Sequence, residues 1–77
     1  MVKGYILIKL VPGFESSALS QVSAIAGISE VNSVFGPWDA IAIAEAKTLS
    51  DLATLIIKQI RGIQGVQDTE TLVQGAI

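Results

Sequence analysis

The chain has 77 residues, a net charge of −2 and neither cysteine nor histidine; 51% of its residues are hydrophobic and only 16% are charged. This length predicts one small domain, and the missing residue types exclude disulfides, zinc–thiolate sites and histidine-based catalysis. The few cations form no basic stripe, which argues against direct nucleic-acid binding. A small globule with this apolar excess should expose apolar patches, so we expect a homo-oligomer.

Membrane insertion and export are not expected either. No apolar run reaches the roughly 18 residues that a membrane span requires. The N-terminus has no apolar segment or cleavage site typical of a signal peptide. These features favour a cytoplasmic protein, and we expect no metal, no cofactor and no membrane partner.

The first predicted elements are a strand, a helix and a second strand. Residues 5–11 are rich in β-forming side chains and precede a Pro-Gly turn. Both faces of this strand are largely apolar, which is typical of a strand covered on both sides. Residues 14–26 have helical apolar spacing, with Gly27 expected to end the helix. Residues 30–35 are predicted to form the second strand.

The stretch GPWD at residues 36–39 leads into a third predicted strand at residues 40–46, in which isoleucine alternates with alanine. The alanines indicate a face with little room. Either another backbone or a second subunit comes close there, or a helix of the same chain makes a thin, buried contact. The pattern alone leaves both interpretations open.

A second helix and a fourth strand complete the predicted elements. Thr48 and Asp51 fit a capping box at the start of the helix, and Gly62 is expected to end it. The helix has a broad apolar stripe made of Leu49, Leu52, Ala53, Ile56, Ile57 and Ile60. The last strand is expected to start near Val66.

An internal repeat supports the order β-α-β-β-α-β. Matching residues lie 35 positions apart, as in Phe14 and Leu49, Ala18 and Ala53, Gly27 and Gly62, or Val31 and Val66. Two such halves predict a ferredoxin-like α+β fold, in which two helices cover one face of a four-stranded antiparallel sheet. The other sheet face is then open, and we expect oligomerisation through it.

Few side chains could carry chemistry. The carboxylates show no metal-ligand spacing, and no serine has a histidine to activate it. Asp68 and Glu70 share one face of the last strand, which is typical of solvated surface. Thr69 and Thr71 share the other face, a pattern that strand propensity alone explains.

The GPWD stretch is more specific. Pro37 pushes Gly36 toward an extended backbone, and Trp38 offers a rigid surface with one N–H donor. Asp39 can accept hydrogen bonds from backbone amides or from an ammonium group. The stretch is therefore either a binding loop or a hairpin turn. In a plain turn, Asp39 would cap backbone N–H groups and Trp38 would pack on a neighbouring subunit.

Three stretches together resemble the effector-binding RAM domain of the Lrp/AsnC family, the leucine-responsive and asparagine regulators. They are the opening YILIKLVPG, the G-x-x-D turn at residues 36–39 and the ending IRGIQGVQDTETLV. The resemblance covers essentially the whole chain. It implies sheets paired into dimers, dimers assembled into rings, commonly octamers, and small effectors, typically amino acids, bound between dimers near the G-x-x-D loop.

The resemblance also implies which residues contact the effector: Gly36, Pro37, Trp38, Asp39, Thr69 and Thr71. Asp39 would receive the ligand's ammonium or the surrounding amides, the two threonines would supply hydroxyls, and Gly36 would permit the loop geometry. Family members also carry an N-terminal DNA-binding helix-turn-helix that has no counterpart in this sequence. Residues 1–77 are therefore expected to be a single, stand-alone RAM domain.

The expected function is that of a non-enzymatic effector sensor. It would bind a small amino acid or related metabolite at a subunit interface and modulate the assembly of transcription regulators, including a DNA-binding relative of the same family. Two alternatives stay open. One is an oligomerisation module without a ligand. The other is a small enzyme of the dimeric α+β barrel type, which would depend on groups such as Asp39 and Tyr5 for proton transfer.

Overall fold

A computed structural model describes residues 1–75 and confirms the order β-α-β-β-α-β. The strands are β1 (Val2–Leu10), β2 (Ile28–Ser33), β3 (Ala40–Ala46) and β4 (Val66–Val73). They form one antiparallel sheet in the order β2-β3-β1-β4. Helix α1 (Glu15–Ser23) connects β1 to β2, and a second helix connects β3 to β4. The ferredoxin-like α+β fold is therefore confirmed.

The second helix has a π-helical middle. Its α-helical ends are Leu49–Asp51 and Lys58–Arg61, and Leu52–Ile57 between them is π-helical. The Thr48 hydroxyl accepts a hydrogen bond from the Asp51 N–H at 3.0 Å, so the Thr48 half of the predicted capping box is present. The π-helical turn was not predicted, because one wide turn hardly changes the apolar period of a helix.

The core lies between the helices and one face of the sheet. Its buried side chains are Ile6, Ile8, Leu10, Ala18, Val22, Ala40, Ala42, Ala44, Leu52, Ile56 and Ile60. Of the four alanines of β3, Ala40, Ala42 and Ala44 are completely buried in this cluster. The thin contact with a helix of the same chain is thus the correct interpretation of the alanine face. Within residues 1–75, no helix is both long enough and apolar enough to cross a bilayer.

At the ends of the helices, equivalent residues of the two halves lie 38 positions apart, and the predicted spacing of 35 is wrong there. Ile25 N–H to Val22 O and Ile28 N–H to Ile25 O have counterparts in Ile63 N–H to Ile60 O and Val66 N–H to Ile63 O. Gly27 and Gly65 are also equivalent, with φ of 99° and 102°. Gly27 was expected to end α1. The helix instead ends at Ser23, and Gly27 lies after the turn that follows it.

The shift in register corrects the predicted stripe of the second helix. Leu49 is 58% exposed and Ala53 is also exposed, whereas Ile56 and Ile60 take the positions that Ala18 and Val22 hold in α1. A shift of three residues is close to one helical turn. Helical periodicity therefore fits both registers almost equally well, and only the packed structure distinguishes them.

The sheet face turned away from the helices is open. Strand register places Tyr5 between Ile43 and Leu72, and Leu7 beside Ile41. We call these five residues the open sheet face. Leu72 is 53% exposed and the other four are half-buried. The predicted second apolar face of β1 is therefore present, and within one chain it faces solvent.

Candidate functional site

The connection between β2 and β3 forms a hairpin tip that is tied to the end of β1. Val34 N–H donates to Asp39 O at 3.0 Å, which closes the tip, and Asp39 N–H donates to Ile8 O at 2.9 Å. The Lys9 ammonium donates to Pro37 O at 3.2 Å. One hydrogen bond therefore closes the tip, and two hold it against β1.

The Asp39 carboxylate adds a fourth bond and extends the strand pairing. Its Oδ2 accepts from the Leu10 N–H at 2.8 Å in a partly buried setting. The last backbone pair between β1 and β3 is Ile8 with Ala40. The carboxylate thus takes the role that the next carbonyl would have in the ladder. Asp39 caps a backbone amide, as the hairpin-turn interpretation predicted, and it also keeps a negative charge at the tip.

The residues before Asp39 differ in exposure. Gly36 has φ of 136°, a conformation that favours glycine, and a Cβ atom there would meet nothing within 4 Å. Trp38 is half-buried. Phe35 is fully exposed, at 102% of its reference area. The sequence placed Phe35 inside the second strand, but β2 ends at Ser33, so this aromatic ring was not recognised as part of the tip.

Thr69 and Thr71 lie across β1 from the tip. Register pairs Thr69 with Ile8 on one side of β1, while Ala40 pairs with Ile8 on the other side. Thr69 is therefore two strand spacings from Ala40, or about 10 Å. Both threonines are half-buried. The structure thus brings Gly36, Pro37, Trp38 and Asp39 together but does not bring the two threonines to them within one chain.

A small polar cavity of about 130 Å³ adjoins Thr69. It is lined by Arg61, Val66, Gln67, Asp68 and Thr69. The Thr69 N–H donates to Asp68 Oδ1 at 2.9 Å. Arg61 lies in the last turn of the second helix, where a cation suits the helix macrodipole. The tertiary structure places Arg61 on the lining of this cavity together with Thr69, where a guanidinium could meet an anionic group.

The groups available for catalysis are not arranged as a pair. The Tyr5 hydroxyl donates to Gln74 Oε1 at 2.9 Å, and the Asp39 carboxylate accepts from Leu10. Each group is therefore engaged with a separate partner. Within the part of the chain that the structure describes, no cluster of acidic residues has the composition of a metal site.

Known proteins share the sequence pattern and the fold of this chain. The family model of the Lrp/AsnC ligand binding domain matches residues 4–74. An HTH-type transcriptional regulator of Pyrococcus furiosus is 30% identical over 59 residues, which are 77% of this chain and 39% of that protein. The matched region spans only 35–39% of the length of the curated relatives.

Solved structures have the same fold. TTHA0845 of Thermus thermophilus superimposes with a TM-score of 0.92 at 26% identity, covering 100% of this chain and 96% of that one. A transcriptional regulator of Neisseria meningitidis, solved as a complex with L-Met, has a TM-score of 0.83 at 12% identity, covering 97% of this chain and 50% of that one. The second likeness shows the fold alone, whereas the family model covers nearly the whole chain. The chain therefore belongs to the Lrp/AsnC ligand-binding domain family.

Proposed function

We propose that this chain is a non-enzymatic effector sensor that works in the cytoplasm with transcription regulators. It binds a small amino acid or related metabolite where the hairpin tip of one subunit meets another subunit. The observation that carries this proposal is the Asp39 carboxylate, held at 2.8 Å from the Leu10 N–H on a tip that is itself bonded to β1. A preorganised anion needs little reordering when a cation binds.

The chemistry of the tip suits an ammonium group attached to an apolar side chain. The carboxylate supplies a charged acceptor, and charge-assisted hydrogen bonds are the stronger kind. Trp38 supplies a half-buried aromatic surface one residue away. The fold relative from Neisseria meningitidis, solved with L-Met, supports a free amino acid as the class of effector.

The complete site needs more than one chain. Thr69 and Thr71 are separated from Asp39 by the width of β1, so a ligand as small as an amino acid cannot bridge them in one subunit. We infer that the open sheet face pairs two copies into a dimer and that dimers assemble further, up to an octameric ring. A DNA-binding regulator of the same family is a second partner for the same surface.

Ligand binding then couples to assembly. A cleft made by two chains exists only in the assembled state, so its ligand stabilises that state by mass action. Linkage requires the reverse effect too, since assembly raises the affinity for the ligand by the same factor. The module would report an amino-acid level as a change in oligomeric state.

Titration with a panel of amino acids tests this function, with Trp38 fluorescence and light scattering as the two measurements. We expect a small subset of the panel to change the fluorescence and raise the scattering mass. Asp39→Asn keeps an acceptor for Leu10 but removes the charge, so ligand affinity should fall roughly 10-fold or more. The matched control, Glu15→Gln, likewise keeps an acceptor for a backbone amide, the Gly13 N–H, but removes a carboxylate outside the proposed site, and it should leave affinity unchanged.

Two other outcomes would contradict effector sensing itself or the position of the site. If no amino acid changes fluorescence, thermal stability or mass, effector sensing is wrong and the ligand-free oligomerisation module is favoured. If a ligand binds equally well to the Asp39→Asn variant, the site lies elsewhere on the molecule.

A further inference from the structure

The small polar cavity beside Thr69 combines a cation, a hydroxyl group and an amide side chain. Arg61 enters its lining from the end of the second helix, and Val66, Gln67, Asp68 and Thr69 enter it from β4. Its volume of about 130 Å³ lies below the range of pockets that enclose a whole ligand. The cavity therefore suits one compact polar group of a larger ligand.

Strand register places the Thr69 side chain on the same side of the sheet as Arg61. Thr69 pairs with Ile8, which is completely buried beneath the helices. Directly paired residues share one face of a sheet, so Thr69 lies on the face that carries the helices. Arg61 belongs to the last turn of the second helix, on that same face. A guanidinium and a hydroxyl group thus converge on one cavity.

Asp68 carries a negative charge that opposes an anion in this cavity. Side chains alternate along a strand, so Asp68 lies on the opposite face from Thr69, and register pairs it there with Lys9. Its Oδ1 accepts a hydrogen bond from the Thr69 N–H at 2.9 Å. Asp68 therefore already has a backbone donor and an opposite charge on the neighbouring strand, which leaves Arg61 as the cation on the helix side of the cavity.

The fold itself does not require these polar groups. At the spacing of 38 positions, Ser23 is the counterpart of Arg61, and Val31 is the counterpart of Thr69. Val31 packs against the core and pairs with the buried Ala42. The first half thus has no cation and an apolar strand residue at the same place in the fold. Packing therefore does not explain why the second half carries a guanidinium and a hydroxyl group there.

We propose that Arg61 binds the α-carboxylate of the amino-acid effector in the cavity next to Thr69. This inference rests on the effector function proposed above, and it adds the group that recognises the negative end of the ligand. A guanidinium presents two parallel N–H donors to a carboxylate, and such charge-assisted pairs are stronger than neutral hydrogen bonds. With Asp39 of a second copy at the ammonium group, the site selects free amino acids over amines and carboxamides.

Calorimetric titration with each standard L-amino acid, and with the primary carboxamide of each one that binds, tests this assignment. A carboxamide keeps the size of the group but removes its charge. The wild-type protein should bind the free acid roughly 10-fold more tightly than the carboxamide, the lower end for a hydrogen bond to a charged group, because Arg61 is exposed. In Arg61→Gln the two ligands should bind alike, whereas Arg61→Lys keeps the charge and should retain part of the preference.

Lys58→Gln is the matched control. It removes a cation from the same last helical turn but does not alter the lining of the cavity, so the preference for the free acid should persist. Circular dichroism confirms that each variant is folded. The inference is overturned, and effector sensing stands, if Arg61→Gln keeps the full preference for the free acid. If no amino acid binds the wild-type protein, effector sensing and this inference are both wrong.

Discussion

Asp39 links two parts of the chain that are 29 positions apart, because its carboxylate accepts from the backbone of Leu10. One side chain therefore has two roles. It completes the pairing at the end of β1, and it holds the negative charge that the proposed effector would meet. Its contribution to stability can be measured separately from its role in binding.

At the residue scale, we expect Asp39→Ala to lower the free energy of unfolding by about 1–3 kcal/mol, because the partly buried Leu10 N–H loses its acceptor. Asp39→Asn retains a side-chain oxygen and should cost less than half as much. Urea unfolding at a fixed protein concentration compares the two. Equal losses would show that the charge, and not the hydrogen bond, stabilises the tip.

At the scale of elements, the turns that follow the two helices are built alike. Gly27 and Gly65 both have positive φ, and a Cβ atom at either position would collide with a neighbouring side chain. At Gly27 the added Cβ atom would collide with Ile56. At Gly65 it would collide with the Cβ of Phe14. Each turn therefore brings a β-α-β half into close contact with the other half.

We expect Gly65→Ala to destabilise the domain more than Gly36→Ala does. Both positions have positive φ, but a Cβ atom at Gly36 meets nothing within 4 Å. Gly36→Ala should therefore cost only the backbone strain, about 1–2 kcal/mol. Gly65→Ala adds the collision and should cost on the order of 3 kcal/mol. Chemical denaturation measures both, and equal losses would show that Phe14 moves aside freely.

At the scale of the whole molecule, the helices cover only one face of the sheet. The open sheet face has apolar side chains at its centre and charged residues such as Lys9, Glu45 and Glu70 around it. An apolar centre with a polar rim is the usual anatomy of an interface. The apolar excess in the sequence is thus explained by a sheet that one chain does not cover.

We expect Ile43→Asp to separate the proposed dimer. In a two-fold interface each copy would bury an unpaired carboxylate, which should raise the dissociation constant on the order of 100-fold or more. Sedimentation equilibrium should then show monomers at micromolar concentration. Gln67→Asp places the same charge on an exposed position of β4 and should leave the mass unchanged. An unchanged mass for Ile43→Asp would exclude this face as the interface.

The sequence predicted the elements better than it predicted their limits. The order of strands and helices follows from apolar periods of two and about 3.6 residues, which are local properties of the chain. The end of the second strand was wrong, because apolar residues continue through Phe35 although β2 stops at Ser33. The repeat was also misplaced by three residues, since a helical period cannot detect a shift close to one turn.

By itself, the sequence determined the fold class, the family and the absence of cysteine and histidine chemistry, because these depend on composition, on local periodicity and on the order of motifs. Only the tertiary structure decided that Asp39 reaches Leu10, that Thr69 lies on the far side of β1, and that Phe35 is uncovered. The physical reason is that strand order places residues in space through non-local hydrogen bonding. Local spacing along the chain carries no information about which strand becomes the neighbour.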